Sequence, residues 1–379
     1  MAYILDEDGR ALVEDVKKFC DNEVKEQCKE YDVTGEWPAE IYKKATDLGY
    51  QMIEIPEEYG GLGLPADTVL AMYEEMGKAD AGFATTLSAS TLALKPVMIA
   101  GTEEQKHQCC DIIAKGGWGA FGLTEPNAGS DPGSGKTTAT KDGDYYVLNG
   151  RKCFITNAPV ADFFIITALT DKTKGVKGMS AFLVFKGTPG LSTTNHENKM
   201  GIRCSITSDV VLEDVRIPAS QMLGAEGTGF ATAMKTLDLA RLFVGCIAVG
   251  IAQRALDEGM AYTKTRCQFG RPVAKNQALQ FKMADMAIKI ETARQMVSHA
   301  YRLVREGLPY GKEAAMAKCY AGDIAVQVAV DGIQLFGGYG YSREYPVEKL
   351  LRDAKIFQIF EGSNEIQRVV IANHILGRF

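Results

Sequence analysis

The sequence is poor in the residues that build metal centres. It has four histidines in 379 residues (His107, His196, His299 and His374), far apart and without a His-Glu-x-x-His spacing, so no local pattern announces a metal site. Its nine cysteines include no Cys-x-x-Cys pair, and the adjacent Cys109 and Cys110 cannot staple distant segments. An odd number of cysteines in a chain of this length reads as reduced thiols, which predicts a cytoplasmic protein. Excess positive charge is missing as well. The formal net charge is -6, with Lys and Arg scattered among Asp and Glu as on solvated helix faces, which argues against a nucleic-acid partner. No uninterrupted apolar run approaches the length of a bilayer span, so no membrane insertion is expected. The opening residues, Met1 to Asp8, show neither the basic flank and apolar core of a secretory signal nor the Arg-rich texture of a transit peptide.

What is present is a hydrophobic fraction of 46% and a charged fraction of 24%, ordinary for a chain that buries a large core. Three textures follow one another. Up to residue 117 the pattern is helical: Leu12, Val16, Phe19 and Val24 form an amphipathic stripe, and 67–78 and 103–115 repeat the logic. From 118 to 228 short β-branched or aromatic runs (145–148, 152–156, 163–169, 180–185 and 209–212) alternate with turn residues, among them Asp142-Gly143 and Asn149-Gly150. Strands without intervening helices predict an antiparallel domain rather than a parallel Rossmann sheet. From 229 to 379 long Ala- and Met-rich helices return (230–257, 277–306 and 313–335), which pack best as a bundle. The fold class is therefore mainly α with a central β domain.

Several Gly-rich segments punctuate this frame. Gly117-x-Gly119-x-x-Gly122 matches a dinucleotide fingerprint, but a helix precedes it and Pro126 follows it, so the strand-then-helix context of that fingerprint is missing. Read onward, Phe121 to Asp131 offers small residues and hydroxyls to a polar ligand, or is an ordinary linker. Ile359-Phe360-Glu361-Gly362-Ser363-Asn364-Glu365 sets a carboxylate between an aromatic ring and a glycine, where loss of water would raise its pKa. The alternative there is a capping segment with Ser363 as N-cap. Residues 334–341 form a Gly-rich helix end, and 265–272 place Arg266, Phe269 and Arg271 on a loop suited to phosphate contact or plain solvation.

Taken together, Thr124-Glu125-Pro126-Asn127-Ala128-Gly129-Ser130-Asp131, Lys152-Cys153-Phe154-Ile155-Thr156-Asn157, the Arg266–Gly270 loop, the Gly337-Gly338 turn and Glu361-Gly362-Ser363 resemble the acyl-CoA dehydrogenase family in content and order, over essentially the whole chain. The resemblance implies a helical N-terminal domain, an antiparallel β-barrel-like domain and a C-terminal four-helix bundle, assembled as a homotetramer. It implies FAD as cofactor and electron exchange with an electron-transferring flavoprotein. On motif match, Phe121, Leu123, Thr124, Ser130, Phe154 and Thr156 would contact the flavin. Arg266, Phe269, Gln277, Gln334, Gly337 and Gly338 would hold its pyrophosphate and adenosine part across a dimer interface. Ser363 and Glu365 would complete the cofactor site. Ser130, Asp238, Leu239, Ala240, Arg241 and Gly362 would contact the acyl-CoA. Glu361 would take the α-proton of the thioester while the β-hydrogen leaves as hydride to flavin N5, or the reverse in an enoyl-CoA reductase.

Some members carry the base near Asp238–Arg241 instead, but Asp238-Leu239-Ala240-Arg241 holds no glutamate, which favours Glu361. Two departures bear on the acyl pocket. Short-chain members often have two glycines where Leu239-Ala240 stands and a tyrosine where Phe360 stands. A branched or aromatic enoyl group, as in arylacrylyl-CoA reductases of the caffeoyl-CoA type, is thus an alternative to a short aliphatic chain. An oxygen-using oxidase and a non-catalytic flavoprotein scaffold are further alternatives.

Overall fold

The computed structural model describes residues 3–377. Six helices open the chain: α1 (Glu7–Phe19), α2 (Lys25–Thr34), α3 (Ala39–Asp47), α4 (Ala66–Ala79), α5 (Ala81–Ala100) and α6 (Glu103–Ala114). The starts of α1, α5 and α6 are capped by short polar side chains that satisfy otherwise orphaned N–H groups. Asp6 accepts from the Gly9 N–H, Asp80 from the Phe83 N–H, and Thr102 and Gln105 form a reciprocal capping box on α6. The stripe read from the sequence buries Val16 and Val24 completely, although one π-helical turn, Cys20–Val24, separates α1 from α2.

Strands β1 (Gly119–Gly122), β2 (Thr138–Asp142), β3 (Tyr145–Thr156), β4 (Phe163–Leu169), β5 (Met179–Phe185), β6 (Leu191–Thr193), β7 (Thr207–Pro218) and β8 (Met222–Leu223) form one sheet. Its order is β6-β7-β3-β2-β4-β5-β8, with β1 added on β4. Most pairs are antiparallel. Two are parallel, β1 on β4 and a single-residue contact of β2 on β4, because the β2–β3 hairpin is inserted between β1 and the strand it pairs with. Asp142-Gly143 does turn this hairpin, with Gly143 at φ +59. Asn149-Gly150 does not turn the chain. It lies inside β3 opposite a bulge in β7, where Glu213 and Asp214 face the single residue Asn149, and β3 itself bulges at Cys153 and Phe154, so the two short runs at 145–148 and 152–156 are one strand. Glycine there also admits a close neighbour, since a Cβ would stand 2.4 Å from Thr137 Oγ1.

The C-terminal part contains α7 (Gly229–Thr265), α8 (Gln277–Arg305), α9 (Gly311–Phe336), α10 (Val347–Lys355) and α11 (Asn364–Leu376). A small hairpin, Cys267–Gln268 against Arg271–Pro272, joins α7 to α8. Helices α5 and α7 are long and apolar enough to cross a membrane by composition, which the search for unbroken apolar runs does not reveal. Their apolar windows are 67% and 89% buried inside the protein, so both are core helices. Helix α7 is the spine of the molecule. It crosses α4 at backbone contact, where a Cβ on Gly77 would lie 2.8 Å from Ile247 Cα and one on Gly250 would lie 2.4 Å from the Glu74 carbonyl. The two helical parts therefore share one core, with Leu70, Tyr73 and Met76 against Leu242, Ile247 and Ile251.

Candidate active site

The first two motifs meet where β1 ends. The Thr124 carbonyl accepts from the Cys153 N–H at 2.9 Å, which stitches residues 121–130 to 152–156. Beneath them lies a buried ion pair: Lys152 Nζ is 2.7 Å from Glu125 Oε1 and also donates to the Leu123 carbonyl at 3.2 Å. Glu125 in turn accepts from the Lys136 and Thr137 N–H groups at 2.6 and 3.1 Å. Burial pushes the Lys152 ammonium down, and the Glu125 charge opposes it. The fingerprint glycines are accounted for by packing. Gly119 and Gly122 lie in β1, where a Cβ would stand 2.6 Å from Phe163 and 2.8 Å from Ile166.

Above that pair the backbone is strained. Phe154 takes φ +57 and Asn157 φ +67, left-handed conformations that cost a side-chain-bearing residue energy. Phe154 is 68% exposed, an aromatic face presented outward from a strand end. Asn157 is fully buried and donates to the Thr86 carbonyl of α5 at 3.0 Å, which ties this corner to the N-terminal helices. Leu123 is buried, Phe121, Thr124 and Thr156 are half-buried, and Ser130 is exposed.

Glu361 stands on the turn between α10 and α11, at φ +55, followed by Gly362 at φ +85. The residue as a whole is only half-buried, yet its Oε2 is enclosed and meets no hydrogen-bond partner among the described residues. Burial raises its pKa above the usual carboxylate range, while the charges of Arg241, Lys318 and Lys95 pull it back. The turn is held from below. Gln367 Nε2 donates to the carbonyls of Glu361 and Gly362 at 3.0 and 2.9 Å, and Ser363 caps α11 by accepting from the Ile366 N–H. The cap leaves the carboxylate free of this duty, since Ser363 caps the helix while Glu361 lies two residues before the cap. Arg241 is buried, ion-paired with Asp238 one turn back on α7, and its Nε lacks a partner. Leu239 is half-buried and Ala240 buried on the same turn.

Gly362 is required on two counts, its positive φ and a Cβ that would sit 2.6 Å from Gln367 Nε2. Gly362→Ala should lower stability by about 1–2 kcal/mol, read as a shifted urea midpoint. It should also displace the Gln367 bond and with it the carboxylate, read as a slower reaction with substrate.

The remaining predicted residues lie elsewhere. Arg266 leaves the end of α7, and its guanidinium sits over the Tyr339 ring at 5.6 Å, so the hairpin and the Gly337-Gly338 turn adjoin. Phe269 is completely exposed at φ +51, and Gln277, Gln334, Gly337 and Gly338 are exposed beside open space. Glu365 is exposed on the first turn of α11. Arg266 is twenty-five residues beyond Arg241 on α7, roughly 37 Å along the helix axis at 1.5 Å per residue. One chain therefore holds Glu361 with Arg241 in one cluster and Arg266 with Gly338 in another, while Phe154 belongs to the β3 corner that Thr124 and Asn157 fix. These features suit a long flavin nucleotide: an outward aromatic face and hydroxyl-bearing loop at the β3 corner, and an arginine beside unobstructed glycines at the end of α7. A third group, Cys28, Asp80 and Cys204, gathers potential metal ligands within 4.8 Å, but Lys349 Nζ lies 2.7 Å from Asp80 Oδ2 and supplies the positive charge there. Lys318, Lys95, Asn364 and Gln367 are the site residues that sequence reasoning missed. Each stands in a helical pattern with no local mark of its role.

The comparisons agree with this architecture. Models of the acyl-CoA dehydrogenase N-terminal, middle and C-terminal domains match residues 6–117, 120–215 and 227–376. Butyryl-CoA dehydrogenase from Megasphaera elsdenii superposes with a TM-score of 0.96 at 43% identity, covering 99% of this chain and 100% of that one. A chain from a structure of the electron transferring flavoprotein of Acidaminococcus fermentans superposes at 0.97 with 45% identity, covering 100% of both. The 3-(aryl)acrylate reductase of Clostridium sporogenes is 43% identical over 362 residues, 95% of this chain and 96% of the reductase. The chain belongs to the acyl-CoA dehydrogenase family: it is an FAD-dependent oxidoreductase acting on the CH–CH bond of acyl-CoA thioesters.

Proposed function

We propose that the protein interconverts an acyl-CoA and its α,β-enoyl-CoA, with Glu361 as the group that moves the α-proton. The observation that carries this is the enclosed, unpartnered Oε2 of Glu361 facing Arg241, Lys318 and Lys95. A carboxylate whose enclosed oxygen has no protein donor among the described residues is a ready base, and burial raises its pKa towards the working range of a proton-transfer catalyst. In the oxidative direction Glu361 takes the proton from Cα, and in the reductive direction it returns it. In this reading the backbone N–H of Glu361 donates to the thioester oxygen as negative charge develops there. Asp238, Leu239, Ala240, Arg241, Gly362 and Ser130 bind the thioester. Phe121, Leu123, Thr124, Ser130, Phe154, Thr156, Ser363 and Glu365 hold the flavin end of FAD. The chemistry supplied by FAD, once bound, is hydride exchange between Cβ and N5.

Arg266, Phe269, Gln277, Gln334, Gly337 and Gly338 grip the distal half of the cofactor of a second copy, because the helix distance puts them out of reach of their own Glu361 cluster. A homotetramer of units built from 1–117, 118–228 and 229–379 meets this need. Phe269→Asp should therefore reduce both FAD content and assembly size, measured by absorbance ratio and light scattering. A tetramer that retains full FAD would count against the shared site. Electrons pass to or from an electron-transferring flavoprotein, supported by the Acidaminococcus likeness.

The acyl group is either short and aliphatic or aromatic. Leu239, Ala240 and Phe360 in place of smaller or hydroxylated residues, together with the aryl-acrylate reductase likeness, support the second choice. Reduced enzyme offered crotonyl-CoA and cinnamoyl-CoA should return its visible flavin absorbance faster with the preferred substrate. No return with any enoyl-CoA would overturn the reading. With Glu361 as base, the rate of flavin reduction by acyl-CoA should fall as pH drops through its raised pKa, so the acid limb should lie above the ordinary carboxylate range.

A further inference from the structure

Lysine is almost never enclosed without a reason, and Lys318 is fully enclosed in the middle of α9. Its ammonium donates to the Gly362 carbonyl at 2.8 Å and to Asn364 Oδ1 at 2.9 Å. Both acceptors belong to the turn that carries Glu361. Asn364 is itself fixed, donating to the Cys319 carbonyl at 3.0 Å and to Asp323 Oδ1 at 2.8 Å, so the lysine is aimed rather than merely tolerated. Helix α9 also approaches this segment at backbone distance, since a Cβ on Gly322 would stand 2.5 Å from the Phe357 carbonyl. A cation in such a place has one acidic neighbour of consequence. Among the charges that bear on Lys318, Glu361 is the largest, ahead of Cys319, Arg241 and Asp323.

We infer that Lys318 is a positioning residue for proton transfer: its ammonium pins the left-handed Glu361-Gly362 turn and keeps a fixed positive charge behind the carboxylate. The inference rests on Glu361 being the base. Geometry and charge make separable contributions. The two hydrogen bonds reach Gly362 and Asn364, just after Glu361, and join Gln367 in fixing consecutive residues at φ +55 and +85. The charge is one of three that face Glu361, with Arg241 from α7 and Lys95 from α5, and it favours the ionised form. Burial costs the ammonium in turn, holding Lys318 down at about 8.

Lys318→Gln and Lys318→Arg separate these contributions, with Glu361→Gln as the reference, all prepared as FAD holoenzymes and reduced by acyl-CoA across pH. Lys318→Gln should retain FAD, react on the order of tenfold more slowly, and show its acid limb moved to higher pH, because a charge that favoured the carboxylate is gone. Lys318→Arg should keep the parent limb, since the charge remains, yet react more slowly, because a forked guanidinium cannot place one nitrogen between both acceptors. An unmoved limb and parent rate in Lys318→Gln would overturn the proposal. If Lys318→Gln does not accumulate as holoenzyme, Lys318→Arg decides alone, and a parent rate in it overturns the positioning role. Parent-like Glu361→Gln would remove the underlying reading instead, whereas a dead Glu361→Gln beside an unchanged Lys318→Gln removes only this inference.

Discussion

Glu361→Gln should bind FAD normally and lose about 10²–10⁴ of its rate of flavin reduction by acyl-CoA, the range of a positioned general base. The substitution keeps the size of the side chain and removes only the ability to take a proton. Its Oε2 has no hydrogen-bond partner among the described residues, so no supporting network collapses with the charge. The turn itself is held through backbone carbonyls by Gln367 and Lys318, whose hydrogen bonds do not involve the carboxyl. Stability should change little, because relief of a half-buried charge is offset by the lost attraction to Arg241, Lys318 and Lys95. Stopped-flow bleaching of the flavin under acyl-CoA is the measurement, and a parent-like rate would rule Glu361 out as the base.

The second large effect concerns the loop that follows β1. Lys152→Met should destabilise the protein by about 3–5 kcal/mol, because removing one member of a buried ion pair strands the other. Glu125 would keep its bonds to the Lys136 and Thr137 N–H groups but lose its ion-pair partner, and the Leu123 carbonyl would lose a donor. Since Leu123 and Thr124 border the proposed flavin contact, FAD affinity should fall with stability. Urea unfolding of the holo- and apoprotein separates the two. A destabilised apoprotein together with weakened FAD binding fits the role of a support beneath the loop. An unchanged urea midpoint would contradict it.

Much of this was legible in the sequence because it is written locally. Turn residues, strand-length runs and helical periodicity report on neighbours a few positions away, so the succession helical, sheet, helical and the Asp142-Gly143 hairpin could be read directly. Asn149-Gly150 shows the limit: the same dipeptide serves a turn or sits in a strand opposite a bulge, and only the pairing of β3 with β7 decides. Helix α7 shows another, since charged residues interrupt its apolar runs without preventing its burial. Glu361 was found through motif order. Its environment was not, because Lys318, Arg241 and Lys95 come from three helices distant in sequence. Lys318 in particular sits in an Ala-rich helical stretch where a lysine suggests a solvated face, and only the packing of α9 against the turn encloses it.

The same helix α7 carries Asp238–Arg241 near one end and Arg266 at the other. Its length acts as a ruler between the proposed reaction centre and the proposed cofactor grip, and its winding acts as a protractor. Inserting one residue between Arg241 and Arg266 would rotate the far end by about 100° and advance it by about 1.5 Å. Four inserted residues would nearly restore the facing while lengthening the span by about 6 Å. Substitutions along this stretch can be absorbed by repacking, whereas changes in its length cannot, and variation among relatives should respect the residue count of α7 more strictly than its side chains.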